Sequence, residues 1–269
     1  MTRLDQYLER IGHAGPVAAD LSTLRALHRR HSIVIPYEDV DVQLGDRVDL
    51  DIERIFDKLV TRRRGGWCYE MNGLMHWALT EIGFDATRVV GGVPGENPEG
   101  DEHMGSHLVV VVQLDDESWL VDVGLGAGMI EPIPIREGEH SVGGRTFRLE
   151  RTGDDAWRFH HHEGVMPPIF DFVMRTDEAW LARVCDRLQD NPESIFRQNL
   201  IVNRFLDDGE QVLALLGRSL FRPGGKPHLI ADAAELVAVL ADEFGISQPG
   251  LEALWPAVEA RHAELFPDA

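Results

Sequence analysis

The chain has 269 residues, 43% apolar and 27% charged, enough for two domains or one elaborate one with a sizeable hydrophobic core. Its net charge of −20 argues against nucleic acid and anionic lipid as partners, so an anionic ligand would need a local site of backbone N–H groups or a few arginines. Two distant cysteines, a polar N-terminus (MTRLDQYLERIG) and no apolar run near the roughly 20 residues of a bilayer span argue against a disulfide framework, a zinc knuckle and a membrane protein; a cytoplasmic location is expected.

The first third reads as helices. Leu4, Tyr7, Leu8 and Ile11 recur at helical spacing and stop at Gly12. Asp20 opens a second helix with Leu21, Leu24 and Leu27. Asp51 opens a third, with Ile52, Ile55, Phe56, Leu59 and Val60 on one face, and Gly65–Gly66 end it. A fourth follows at once, striped by Met71, Leu74, Met75, Ala78, Leu79 and Ile82 and closed by Gly83. Cys68 therefore stands at or just before a helix N-terminus.

From about Ala86 the period changes to that of strands. The segments 86–90, 107–114, 118–123, 130–135, 146–151 and 157–162 alternate with Gly, Pro and Asp clusters, which predicts an antiparallel sheet or small barrel. Helix returns at 178–188. Short strands are expected around 211–215 and 219–221, and Asp232 and Glu235 give a capping-box start to a last helix. The order is helices, then sheet, then a mixed end, an α+β arrangement.

A thiol at a helix N-terminus feels the positive end of the macrodipole, which favours the nucleophilic thiolate. A base is then required. His107 begins the apolar strand HLVVVVQL, and Asp122 sits in the otherwise apolar SWLVDV, where a bare carboxylate is costly to bury unpaired. A four-residue loop over 113–116 would set His107 directly opposite Asp122 on one face, although the turn cues centre later, on Asp115–Asp116. Asp122 as a turn cap and His107 as a loop histidine are the plain alternatives. Together, Cys68, His107 and Asp122 form a nucleophile, a base and an orienting carboxylate.

The segment RRGGWCYEMNG resembles the Arg-Gly-Gly-x-Cys-x-Glu-x-Asn signature of the arylamine N-acetyltransferases. IPYEDVDV (35–42), GSHLVVVV, VDVGLG (121–126) and the leading YLERIG are similar to further elements of that family, in order along nearly the whole chain. The resemblance implies a Cys–His–Asp triad of Cys68, His107 and Asp122, of the papain and transglutaminase type. It implies a helical bundle over 1–85 carrying the cysteine, a central antiparallel β-barrel over 86–190 carrying the histidine and aspartate, and a linker with an α/β lid over 191–269. It also implies an acetyl group passed from acetyl-CoA through acetyl-cysteine to an arylamine, arylhydrazine or N-hydroxyarylamine, by ping-pong kinetics. Ser106 and Gly126 are the expected coenzyme A contacts, Tyr37 and Leu125 the expected acceptor contacts, and Arg64 and Glu38 a bracing pair. Three positions depart from the family: Tyr37 and Leu125 stand where it usually has Phe, and Asp39 where it usually has Asn. These bear on acceptor preference rather than on the reaction.

Other candidates are weaker. Consecutive residues of a strand alternate faces, so His160-His161-His162 does not converge on one ion and no metal is expected. Cys185 shares a helical apolar face with Trp180, Leu181, Val184 and Leu188 and reads as core. Gly124, Gly126 and Gly128 lack the lysine of a phosphate loop, and FRPGGKPH (221–228) reads as a surface turn. The rival activities are a macrolactam-forming amide synthase of the same family and a thiol hydrolase or transglutaminase-like enzyme. A binding protein with a structural Cys68 is the non-enzymatic alternative. The chain is expected to act as a monomer or homodimer.

Overall fold

The computed structural model describes residues 1–95, 103–162 and 164–266. Helix α1 (Arg3–Arg10), α2 (Leu21–Val34), α3 (Val40–Leu44), α4 (Ile52–Phe56) and α5 (Cys68–Ile82) form the first third, with the two-residue strand β1 (Tyr37–Glu38) between α2 and α3. Asp20 caps α2 by accepting the Thr23 N–H at 2.8 Å, and Asp51 caps α4 by accepting those of Glu53 and Arg54. The third predicted helix continues past Phe56 as a π-helical turn, Asp57–Thr61. Gly83, with φ of 103°, ends α5 in the left-handed conformation.

Eight strands follow: β2 (Asp85–Gly92), β3 (His107–Leu114), β4 (Glu117–Val121), β5 (Ile133–Pro134), β6 (Gly138–Val142), β7 (Arg145–Arg151), β8 (Ala156–His160) and β9 (Ile169–Val173). They pair antiparallel in the order β5-β4-β3-β2-β9-β8-β7-β6, a nearly closed barrel. Helices α6 (Glu178–Asp190) and α7 (Ile195–Gln198) lead to a second sheet. Its strands are β10 (Ile201–Phe205), β11 (Val212–Leu216), β12 (Ser219–Phe221) and β13 (His228–Leu229), covered by α8 (Ala233–Phe244) and α9 (Trp255–Leu265). β1 joins the edge of this C-terminal sheet, with Tyr37 opposite Asn203 and Glu38 opposite Val202.

β3 is apolar from Leu108 to Val112, where both of its faces are buried. Val109 and Val111 face the barrel interior with Leu120, Phe159 and Phe170, whereas Val110 and Val112 pack against Met71, Leu74, Met75 and Ala78 of α5. Each such large apolar side chain contributes about 1.5–3 kcal/mol relative to exposure. This packing clamps the cysteine-bearing helix to the histidine-bearing strand.

The antiparallel expectation holds, with corrections. The predicted 130–135 strand shrinks to two residues, and β1, β6, β9, β10 and β13 were not predicted. β6 (GEHSV) has no buried residue to give a period, and β9 begins straight after Pro167–Pro168. The turn between β3 and β4 is two residues long: Asp115 and Asp116 both have positive φ, 51° and 62°, as a type I′ hairpin requires. Val110 pairs with Val121 and Leu114 with Glu117, so the register lies two residues from the expected one. His107 and Asp122 are therefore not directly opposite.

Candidate active site

Two glycines precede Cys68 because there is no room for side chains there. A Cβ on Gly65 would lie 2.2 Å from the Pro36 carbonyl oxygen, and one on Gly66 would lie 2.7 Å from Glu70 Oε2. The Glu38 N–H donates to the Gly66 carbonyl at 3.0 Å, which ties this turn to β1. α5 then starts at Cys68, whose residue is 2% exposed and whose Sγ lies 3.7 Å from the Ser106 carbonyl oxygen. The loop after β4 passes closely: a Cβ on Gly124 would lie 2.8 Å from Cys68 Cα.

His107 and Asp122 face the barrel interior at its mouth, and His107 Nε2 lies 2.8 Å from Asp122 Oδ2. The register shift of two preserves the shared face, so the pair meets diagonally. With Nε2 turned to the carboxylate, Nδ1 is the ring nitrogen on the other side. The edge of the His107 ring meets Phe170 with centroids 5.2 Å apart.

Asp122 is fixed from every side. Its Oδ1 accepts from Asn72 Nδ2 at 2.8 Å and from the Gly124 N–H at 2.9 Å. Its own N–H donates to His28 Nε2 at 3.3 Å. Burial alone would raise its carboxyl, but the charge and hydrogen bond of His107, with those from Asn72 and Gly124, hold it below the ordinary range. His28, fully buried, has its imidazole pushed down to about 4 by desolvation, which keeps Nε2 a neutral acceptor. Asn72 lies one helical turn after Cys68 and also binds the Leu108 carbonyl and the Val123 N–H. Helix, both strands and the loop thus meet at one side chain.

Beneath the start of α5 runs a chain of buried charges. Lys58 Nζ lies 2.9 Å from both Glu70 and Asp41, Arg64 Nη2 lies 3.0 Å from Asp41 and 2.7 Å from Glu38, and Glu38 accepts the Val40 N–H. Arg64 also donates to Gln248 of the C-terminal region. Glu70 additionally accepts the Trp67 N–H at 3.3 Å, capping the helix that carries the thiol. Desolvation pushes the Glu70 carboxyl up to about 7 against the pull of Lys58.

A cleft of about 840 Å³ opens beside this centre, between the barrel and the C-terminal sheet. Tyr37 and Leu125 line it, and both also line a small pocket of about 10 Å³ that reaches Asp122 and Gly126. A buried thiol, a carboxylate-bound imidazole and an adjacent apolar cleft suit acyl transfer through a cysteine.

The profile of the N-acetyltransferase family matches residues 20–250. The arylamine N-acetyltransferase of Mycolicibacterium smegmatis is 34% identical over 275 residues, 98% of each chain, and that of Escherichia coli is 32% identical, over 90% of this chain and 88% of its own. The Salmonella typhimurium enzyme superposes with a TM-score of 0.84 at 27% identity, over 97% of this chain and 98% of its own. The Mycobacterium marinum enzyme in complex with CoA does so with 0.81 at 31% identity, over 96% and 97%. A proansamycin X synthase from Amycolatopsis mediterranei is 37% identical over 153 residues, 54% of this chain and 57% of its own.

The chain belongs to the arylamine N-acetyltransferase family. It is an acetyltransferase.

Within this N-acetyltransferase the nine site residues named from sequence fall in different places. His107 pairs with Asp122, Cys68 lies against their neighbours Ser106 and Gly124, Tyr37 and Leu125 line the cleft, and Arg64 and Glu38 form a buried ion pair. Gly126 lines the small pocket, with φ of 65°. Ser106 is fully buried with its hydroxyl accepting the Val93 N–H at 2.9 Å, so its carbonyl rather than its side chain faces the thiol. Cys185 is core, its thiol pushed up by burial. Among the described residues no group of three or more His, Cys, Asp or Glu side chains could hold a metal ion, and no helix is long and apolar enough to cross a membrane.

Sequence reasoning missed His28, Lys58, Asp41 and Asn203, and gave Asn72 no role. Only Asn72 left a signal: it stands four residues after Cys68, on the same helical face. The others come from elements distant in sequence.

Proposed function

We propose that Cys68, His107 and Asp122 transfer an acetyl group from acetyl-CoA to an arylamine, arylhydrazine or N-hydroxyarylamine in two steps. The Cys68 thiolate attacks the thioester carbonyl, and coenzyme A leaves as a thiolate that takes a proton from His107. The neutral amine then attacks acetyl-Cys68. His107 accepts the amine's proton, the amide forms and Cys68 leaves as thiolate. Asp122 holds the ring orientation throughout. Ping-pong kinetics follow from this order.

The observation that carries the reading is the 2.8 Å bond between His107 and Asp122 beside a cysteine at the first position of α5. The likeness to the CoA-complexed relative supports coenzyme A as the donor's carrier. Free-thiol release from acetyl-CoA, with and without 4-anisidine, tests it. The reading expects release that depends on the amine and is absent in Cys68→Ala. The expected seating of the chain as a cytoplasmic monomer or homodimer belongs to this same reading.

The partial likeness to a proansamycin X synthase, together with the size of the cleft, supports a second reading: amide closure of a long acyl chain. It expects aminolysis of an aryl-amine-bearing polyketide thioester and little thiol release from acetyl-CoA.

A further inference from the structure

The wall of the wide cleft is almost wholly apolar. Among the described residues that line it, only Tyr37 and Asn203 have side chains that carry hydrogen-bonding groups, and none is cationic. These two are cross-strand partners, facing one another between β1 and β10. The backbone has been shaped around them: a Cβ on Gly126 would lie 2.9 Å from Asn203 Cβ, 3.0 Å from its Nδ2 and 3.1 Å from Tyr37 Cβ. Asn203 is half-buried, and no side chain among the described residues hydrogen-bonds its carboxamide. A carboxamide placed in an apolar wall without a partner of its own is available to a ligand.

Its distance from the reacting atom is bounded by the chain. The loop touches Cys68 through Gly124 and Asn203 through Gly126. Two residues span at most about 7 Å, so Gly124 beside Cys68 and Gly126 beside Asn203 lie on one short stretch of loop that joins the thiol's surroundings to the cleft wall.

We propose that Asn203, with Tyr37 beside it, is the specificity element of the acceptor subsite, and that it selects aromatic amines bearing a neutral hydrogen-bonding ring substituent such as a hydroxyl. Anionic arylamines are disfavoured, since none of the described residues lining the cleft is cationic and the chain carries a net charge of −20. The proposal rests on the acetyl-transfer reading above.

The test compares 4-aminophenol with 4-methylaniline, which share shape but not the hydrogen bond, in the wild-type enzyme, Asn203→Leu and Tyr37→Phe. The rate of acetyl-Cys68 formation is followed in parallel. The expected result is a fall of roughly tenfold in the kcat/KM ratio of the two amines for Asn203→Leu, carried by KM for 4-aminophenol. Tyr37→Phe, which removes only the hydroxyl, should give a smaller fall in the same direction. An unchanged ratio in both variants overturns the proposal. So does a slowed formation of acetyl-Cys68 with the ratio intact, which would assign Asn203 to the donor. If wild type forms no acetyl-Cys68 and acetylates neither amine, the underlying reading fails and the proposal with it.

Discussion

His107 and Asp122 meet across two strands as diagonal rather than opposed residues, with Nε2 and Oδ2 2.8 Å apart. The type I′ turn at Asp115–Asp116 sets that offset, and the even shift leaves both side chains on one face of the sheet. Asp122→Asn preserves the shape and removes the charge that orients the imidazole. By analogy with triad aspartates elsewhere, kcat should fall by roughly 10⁴-fold, measured with both substrates saturating.

His28 makes stability depend on acid. Its imidazole takes up a proton near the ordinary 6.5 in the unfolded chain but only near 4 when folded, because it is buried. The unfolded state therefore binds more protons between those values. The contribution is complete above pH 6.5 and is lost as pH falls through 4. His31 is shifted in the same direction, chiefly by burial. His28→Gln keeps an acceptor for the Asp122 N–H and removes the titration. Between pH 7 and pH 4.5 the variant should lose about 2–3 kcal/mol less unfolding free energy than wild type, read by chemical denaturation.

Lys58 compensates two buried carboxylates at once, Glu70 and Asp41. Lys58→Met strips that charge and should destabilise the fold by about 3–5 kcal/mol. Adding Glu70→Gln removes one of the stranded carboxylates and should restore part of the loss. Thermal unfolding of the single and double variants checks this, and an additive loss would count against the pairing.

Asp39 occupies the position where the family usually has Asn. Its Oδ1 accepts the Ile201 N–H at 2.9 Å, its Oδ2 is buried without a partner, and burial raises its carboxyl well above the ordinary range. A raised folded value means that its contribution is complete below pH 3.8 and is lost as pH rises towards that value. Asp39→Asn keeps the acceptor and ends the titration. The melting temperature at pH 7 should rise by a few degrees, and the gain should grow with pH.

Much of the site was readable from the chain because its parts are local. A glycine pair, a cysteine and a helical stripe place Cys68 at a helix start, and an isolated aspartate in an apolar strand demands a partner. The register was not readable, since a two-residue and a four-residue turn both keep His107 and Asp122 on one face. β1 was invisible for another reason: its two residues are a strand only because β10 lies beside them, with Tyr37 paired to Asn203 far along the chain. Lys58 carried no signal in the sequence, and only the fold shows that Glu70 and Asp41 close over it. Asn203 could not be found without the cleft that surrounds it.

The central claim is that the acetyl group rests on Cys68 between donor and acceptor. Peptide mass spectrometry of protein mixed with acetyl-CoA, before and after addition of 4-anisidine, tests this directly. An acetyl group on the Cys68 peptide when amine is withheld, discharged as acetylated amine appears, is the predicted result. Acetylated amine produced at full rate while Cys68 stays unmodified at every time point would contradict it.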